Sequence, residues 1–219
     1  MLLWVSRPRT RPTREDTRQR LLQAAATVFV DGGIAGATVE QICDAAELTR
    51  GAYYSNFDDK NELVMALLDD HVDRDMREME RLLELASSPL EFGALIESPE
   101  RRHDGPLGRD AVLFMEFMLY ALRHPSNRSR LAEHQERWRN VIATVVRADC
   151  DRLGVDPPMP VEEAASMILA MDNGYLLGEL LEPGSYQPGT FARNITMLQS
   201  LFEASVKRPR KTQRRPERP

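Results

Sequence analysis

The residues best equipped to do chemistry stand together between Thr38 and Phe57, in the run TVEQICDAAELTRGAYYSNF. Thr38, Thr49, Arg50, Tyr53, Tyr54, Ser55 and Asn56 all carry hydrogen-bonding groups, and from Thr49 onward the run has no bulky aliphatic side chain. Small, polar and aromatic residues opening a helix suit an end pressed into the major groove of DNA, where side chains of the first turns reach base edges. Competing chemistries lack their constellations. His71, His103, His124 and His134 show no HExxH spacing, neither a P-loop nor GxGxxG occurs, and no serine sits in a nucleophile elbow, so no catalytic residue, metal site or cofactor is expected. Cys43 and Cys150 are far apart within helical patterns, which argues against a disulfide framework and for a reducing, cytoplasmic setting.

Two short helices and a tight turn must hold this run. Thr38 caps the first, and Gln41 three residues later completes a capping box. Val39, Ile42, Cys43 and Ala46 recur at helical spacing and turn inward, leaving Glu40, Gln41 and Asp44 to water. Leu48 plugs the turn and Thr49 caps the second helix. A helix opening at Thr13 precedes them, with Leu21, Leu22, Ala25, Val28 and Phe29 as its stripe and Asp31-Gly32-Gly33 as its end. These three helices make a unit of roughly 50 residues, too small to be very stable alone. Support is expected from a helix beginning near Asp59, whose stripe of Val64, Leu67, Leu68, His71, Val72, Met76, Met79 and Leu82 keeps helical period for about 40 Å.

The run from Thr49 to Phe57, followed by Asp58-Asp59-Lys60-Asn61-Glu62-Leu63, strongly resembles the helix-turn-helix signature of TetR/AcrR-type bacterial transcriptional regulators. The resemblance implies an all-α chain: a three-helix DNA-binding head over residues 13–60, then a helical ligand-binding and dimerisation domain over 61–206. It implies that Thr38, Thr49, Tyr54 and Lys60 touch phosphates while Arg50, Tyr53 and Ser55 lie nearest the bases, with Gly51 and Asn56 in the same surface. Two positions depart from the usual pattern. Tyr53 stands where many members have Leu, Ile or Phe, suggesting an extra hydroxyl near DNA, and Asn56 stands where they have His. The stretch EFMLYALRHPSNRSRL is similar to the ligand-domain helix pair of one TetR subgroup. The resemblance further implies a homodimer on a palindromic operator, most often a repressor, released by a small, largely apolar effector.

The rest of the chain is read around that expectation. Residues 1–12 form a basic arm and 207–219 a basic tail: residues 1–20 carry six Arg against Glu15 and Asp16 (+4), and Lys207 to Pro219 carry seven Lys or Arg against Glu217 (+6). With a net charge of −5, residues 21–206 hold −5 − 4 − 6 = −15. Basic ends on an acidic body are what phosphate-touching extremities require. The apolar Met1 to Val5 is cut off by Ser6-Arg7-Pro8-Arg9, too early for a signal peptide or a membrane span. A short helix is expected about Leu90 to Glu97, and Asp110 to His124 reads as a buried helix, apolar almost all round, in which Glu116 needs a partner. That partner is an arginine, solvent at the domain surface, or a cationic ligand. A helix from about Asn127 to Leu153 follows, and the last two helices span about Val161 to Leu181 and Thr190 to Val206. Gly174 and Gly178 lie one turn apart, fitting either close packing within the chain or, as in the resembling family, a four-helix bundle with a second subunit. By the same resemblance Phe114, Phe117, Met118, Trp138, Met171 and Tyr175 line an effector cavity of flexible and aromatic walls.

Overall fold

A computed structural model describes residues 13–85 and 106–206, apart from Pro158 and Pro188. Among the described residues the fold is all-α: eight α-helices, one 3-10 turn and no strand. The basic arm, the helix expected about Leu90 to Glu97 and the basic tail lie outside them. The helices belong to two compact units of the described residues, one comprising 13–74 and 112–131, the other 75–85, 106–111 and 132–206.

In the first unit α1 (Arg14–Gly36) starts with a reciprocal capping box between Thr13 and Asp16. It buries Leu21, Leu22, Ala25 and Phe29 fully. The expected end at Gly33 is a kink: φ is 76° and ψ 151°, a region open in practice only to glycine, and a last turn follows to Gly36. That break strands backbone groups, which two charged side chains satisfy. Glu116 accepts the Ile34 N–H at 2.8 Å, and the Lys60 ammonium donates to the carbonyls of Ile34 and Ala37, each at 2.9 Å.

α2 (Val39–Ala45) carries the expected capping box of Thr38 and Gln41. It closes with Glu47 at φ 52°, the Leu48 N–H bonding to Cys43 O at 2.9 Å and the Glu47 N–H to Asp44 O at 3.1 Å, a Schellman-type end. α3 (Arg50–Tyr54) is capped by Thr49, whose Oγ1 accepts the Ala52 N–H at 3.1 Å. α4 (Lys60–Leu85) is capped by Asp59, which accepts the Glu62 N–H at 2.8 Å. Its stripe is buried as the periodicity predicts, from Val64 through Leu82.

α5 (Pro106–Arg123) supplies Leu113, Phe114, Phe117, Tyr120 and Ala121 to the buried set of this unit. His71 lies among them, its ring 6.5 Å from that of Phe114 and 5.9 Å from that of Phe117. A polar hub forms at Asn61, whose Oδ1 accepts from the Tyr120 hydroxyl at 3.1 Å and from Nδ2 of the buried Asn127 at 2.6 Å. Asn127 ends the 3-10 turn Pro125–Asn127. The expectation of a buried helix holds for one side of α5 only: Leu119 and Leu122, part of its almost continuous apolar surface, are exposed.

In the second unit Met79 and Leu82 pack with Trp138, Val141 and Val145 of α6 (Arg128–Leu153). Burial, then the charge of Arg137, lowers the His134 pKa to about 4, so this imidazole beside Trp138 is neutral at pH 7. A second cluster joins Ala143 to Val161 and Ala165 of α7 (Val161–Leu181), with Arg147 bridging to Glu162 at 3.2 Å. α8 (Thr190–Val206) completes the fold. Tyr175 meets Tyr186 and Phe191 edge-on and hydrogen-bonds Asn194. Gly178 is needed here, since a Cβ would stand 2.5 Å from the Tyr186 hydroxyl. Its close neighbour is this chain's own tyrosine, whereas a Cβ at Gly174 would meet nothing within 4 Å.

The kink separates two adjacent glycines. Gly33→Ala should lower stability by about 1 to 3 kcal/mol, because alanine must adopt a glycine conformation against the Glu116 carboxylate 3.3 Å away. Gly32→Ala, in open space on a helix, should raise it by roughly 0.5 to 1 kcal/mol. Urea unfolding of both variants checks the pair, and equal effects would contradict the kink.

Candidate nucleic-acid interface

The helix-turn-helix surface depends on what α1 holds behind it. Arg20 donates to Ala46 O at 2.6 Å and Arg14 to Ser55 O at 3.1 Å, which ties α1 to the ends of α2 and α3. Arg18 lies over the Phe57 ring at 5.2 Å. Three of the six arginines counted toward a basic end are therefore engaged in holding the head together.

Of the nine residues expected at DNA, Thr38, Thr49, Arg50, Gly51, Tyr54 and Ser55 are exposed, on the caps and helix of the α2–α3 pair. Tyr54 is 49% exposed, with Arg50 5.9 Å above its ring. Arg50 also pairs with Glu40 of α2 at 2.7 Å. Ser55 donates to Ala52 O at 2.8 Å, and the half-buried Asn56 donates through Nδ2 to the same carbonyl at 2.8 Å.

Two of the nine stand away from that exposed row. Tyr53 is fully buried and donates its hydroxyl to Asp59 O at 3.1 Å, so the extra hydroxyl joins the α3–α4 corner rather than a base edge. Burial, ahead of any neighbouring charge, pushes its phenol pKa up. Its ring, edge-on to Tyr54 at 5.2 Å, and its contact with Phe57 anchor α3 from inside. Lys60 is half-buried and gives two of its three ammonium donors to the carbonyls of the α1 corner. Glu116, half-buried, accepts the Ile34 N–H, a backbone partner outside the alternatives expected for it.

The residues expected around an effector fall in both units. Phe114 and Phe117 are buried beside His71 and Met118 is half-buried in the first, while Trp138, Met171 and Tyr175 are half-buried in the second. An open groove of about 420 Å³ in the first unit is polar instead, lined by Arg18, Asp58, Asp59, Glu62, Asp69 and Arg130 among others. Its charges are partly paired, Arg130 holding Asp69 at 2.7 Å, yet burial still raises the Asp69 pKa. Among the described residues no group of three or more His, Cys, Asp or Glu could hold a metal, and no helix is long and apolar enough to cross a membrane. Both cysteines are free and buried, and burial raises their thiol pKa values.

A capped two-helix reader held by α1 and followed by a helical domain defines a helix-turn-helix DNA-binding protein. Residues 21–67 match the family described as bacterial regulatory proteins, tetR family, and residues 102–207 match the C-terminal domain of BetI-type transcriptional repressors. The chain belongs to the TetR family of transcriptional regulators. It is 38% identical over 91 residues to the transcriptional repressor KstR2 of Mycolicibacterium smegmatis, a stretch covering 39% of this chain and less than half, 44%, of that protein. A putative transcriptional regulator from Pseudomonas aeruginosa PAO1 superposes with a TM-score of 0.73 at 21% identity, covering 90% of this chain and 93% of that one. Another, from Saccharomonospora viridis and solved in complex with choline, gives 0.72 at 15% identity over 85% and 96% of the two chains.

The geometry separates Lys60 from its exposed neighbours. Lys60→Met should cost about 1 to 3 kcal/mol of stability by stranding two carbonyls, while the salt slope of DNA binding by the folded protein stays unchanged. Thermal unfolding with binding titrations at several salt concentrations checks this, and a flattened slope at full stability would return Lys60 to the phosphates.

Proposed function

We propose that this chain is a ligand-responsive repressor that binds a palindromic operator as a homodimer and leaves it when a small, largely apolar effector binds the helical domain. The observation that carries the reading is the exposed row of Thr49, Arg50, Tyr54 and Ser55 on a doubly capped helix pair whose inner residues are fully buried. Arginine bidentate to guanine is the commonest specific contact in the major groove, and threonine, serine and tyrosine hydroxyls position the backbone.

Dimerisation is supported by α7. Met167, Ala170, Gly174, Leu177 and Leu181 recur at spacings of three and four, and all five are exposed in the single chain. An apolar stripe of this kind on a helix end to end is what a self-complementary interface presents. Two reading heads then stand about 34 to 36 Å apart, one turn of DNA, and an effector that prefers another spacing shifts the population off the operator by a coupling of about 1 to 3 kcal/mol. Glu116 suits this role, because a helix matching the C-terminal repressor domain grips the corner that leads into Thr38. For the effector, neutral aromatics and quaternary ammonium compounds are the classes to screen first, the second because the Saccharomonospora viridis regulator holds choline.

Selection from random duplexes should yield a palindromic consensus. Arg50→Ala should lose about 1 to 3 kcal/mol, mainly at one base pair of each half-site. An unchanged affinity and base preference would remove Arg50 from the reading surface. Gly174→Glu fills open space within the chain and should keep its helix, yet it should yield monomers that bind the operator weakly. Light scattering reads the result, and a stable Gly174→Glu dimer would move the interface elsewhere.

A further inference from the structure

We propose that Glu40 is a specificity-determining residue, a carboxylate that positions the Arg50 guanidinium for a base edge and withholds it from phosphate. The inference rests on the reading of α2 and α3 as the DNA-reading pair.

Glu40 stands in the first turn of α2 and Arg50 opens α3, so the 2.7 Å pair of Oε1 and Nη1 bridges the two helices across their turn. Its side chains are 55% and 60% exposed, and Thr49, Tyr54 and Ser55 of the α3 segment are exposed as well. An exposed pair of this kind adds little to folding stability. What it does restrict is where the guanidinium points. Arg50 is approached from two directions, by the Glu40 carboxylate at one end of its fork and by the Tyr54 ring, whose centroid lies 5.9 Å from its Cζ.

The chemistry of that restraint gives opposite effects on affinity and selectivity. Arginine offers five N–H groups in a planar fork, and a carboxylate at one end leaves the remaining donors for the O6 and N7 acceptors of guanine. Unrestrained, the same cation satisfies itself on any phosphate, contributing binding without sequence information. A carboxylate beside the DNA surface also repels phosphates, which weakens binding to every sequence alike. Glu40 therefore lowers indifferent affinity and raises discrimination, a repulsive element that sharpens a reader. A purely structural role makes a different forecast. If Glu40 served only the positive end of α2, its loss would lower stability and weaken all duplexes equally.

The test uses the full chain. A consensus duplex is selected with the wild type from a random pool. Wild type, Glu40→Gln, Arg50→Ala and the double variant are then titrated with that duplex, its single-base variants and a random duplex, over a range of salt. Glu40→Gln is expected to bind random duplex severalfold more tightly, with a salt slope steeper by roughly 0.9 per protomer, the signature of one added phosphate contact. Its preference at the base pair that Arg50→Ala abolishes should fall at least about fivefold, within the worth of one bidentate contact. In the Arg50→Ala background Glu40→Gln should leave the base preference unchanged and add no phosphate contact to the salt slope, any small gain on all duplexes alike being the lost repulsion. Unchanged slope and preference in Glu40→Gln, or an equal loss on all duplexes, overturns the proposal while leaving the regulator reading standing. A wild type that enriches no duplex overturns both.

Discussion

The reading head hangs from the corner between Gly33 and Ala37. A helix that breaks at its C-terminal end leaves carbonyls and amides without intrahelical partners, and burying them unpaired costs about 1 to 3 kcal/mol each. Here the partners are supplied from a distance: Lys60 for the carbonyls of Ile34 and Ala37, Glu116 for the Ile34 N–H. Ala37 directly precedes the Thr38 cap, so the geometry of this corner sets where α2 begins. Arg14 and Arg20 then fix the far ends of α2 and α3 against α1. Lys60, Arg14 and Arg20 thus serve the head as internal hydrogen-bond donors.

What was legible in the sequence was local. Thr38 with Gln41, Thr49, the α4 stripe and the bounds of the last two helices all express spacing rules that operate within a few residues. The residues whose partners were not legible share the opposite property, a partner distant in sequence or a choice of face. Lys60 meets carbonyls 23 and 26 residues away, and Glu116 meets an amide 82 residues away. A usable signal existed for Lys60, which opens α4: a cation at the positive end of a helix is unfavourable and needs an acceptor elsewhere. Tyr53 could be read from its spacing, since it stands four residues before Phe57 and both side chains are buried. Nothing local distinguished arginines that brace α1 from arginines free to meet phosphate.

Glycines and sensing residues divide along the same line. Gly178 and Gly174 look equivalent as a pair one turn apart, yet one admits Tyr186 of the same chain and the other faces open space. Only the second belongs to the exposed stripe that supports a dimer. The resemblance groups six side chains around an effector, and the structure distributes them over two units, with His71 beside Phe114 and Phe117 in the first. Helical period alone places His71 on the α4 stripe as a core residue, and its aromatic company comes from a helix more than 40 residues further on, beyond the reach of any local rule.

The functional reading stands or falls with the exposed face of α2 and α3 meeting DNA in the major groove through Arg50. Methylation interference on the selected operator is decisive, because guanine N7 lies in the major groove and adenine N3 in the minor. N7 methylation should block binding at two symmetric positions about one helical turn apart, and Arg50→Ala should be indifferent to it there. Interference confined to adenine N3, or the same N7 pattern in Arg50→Ala, would contradict that reading.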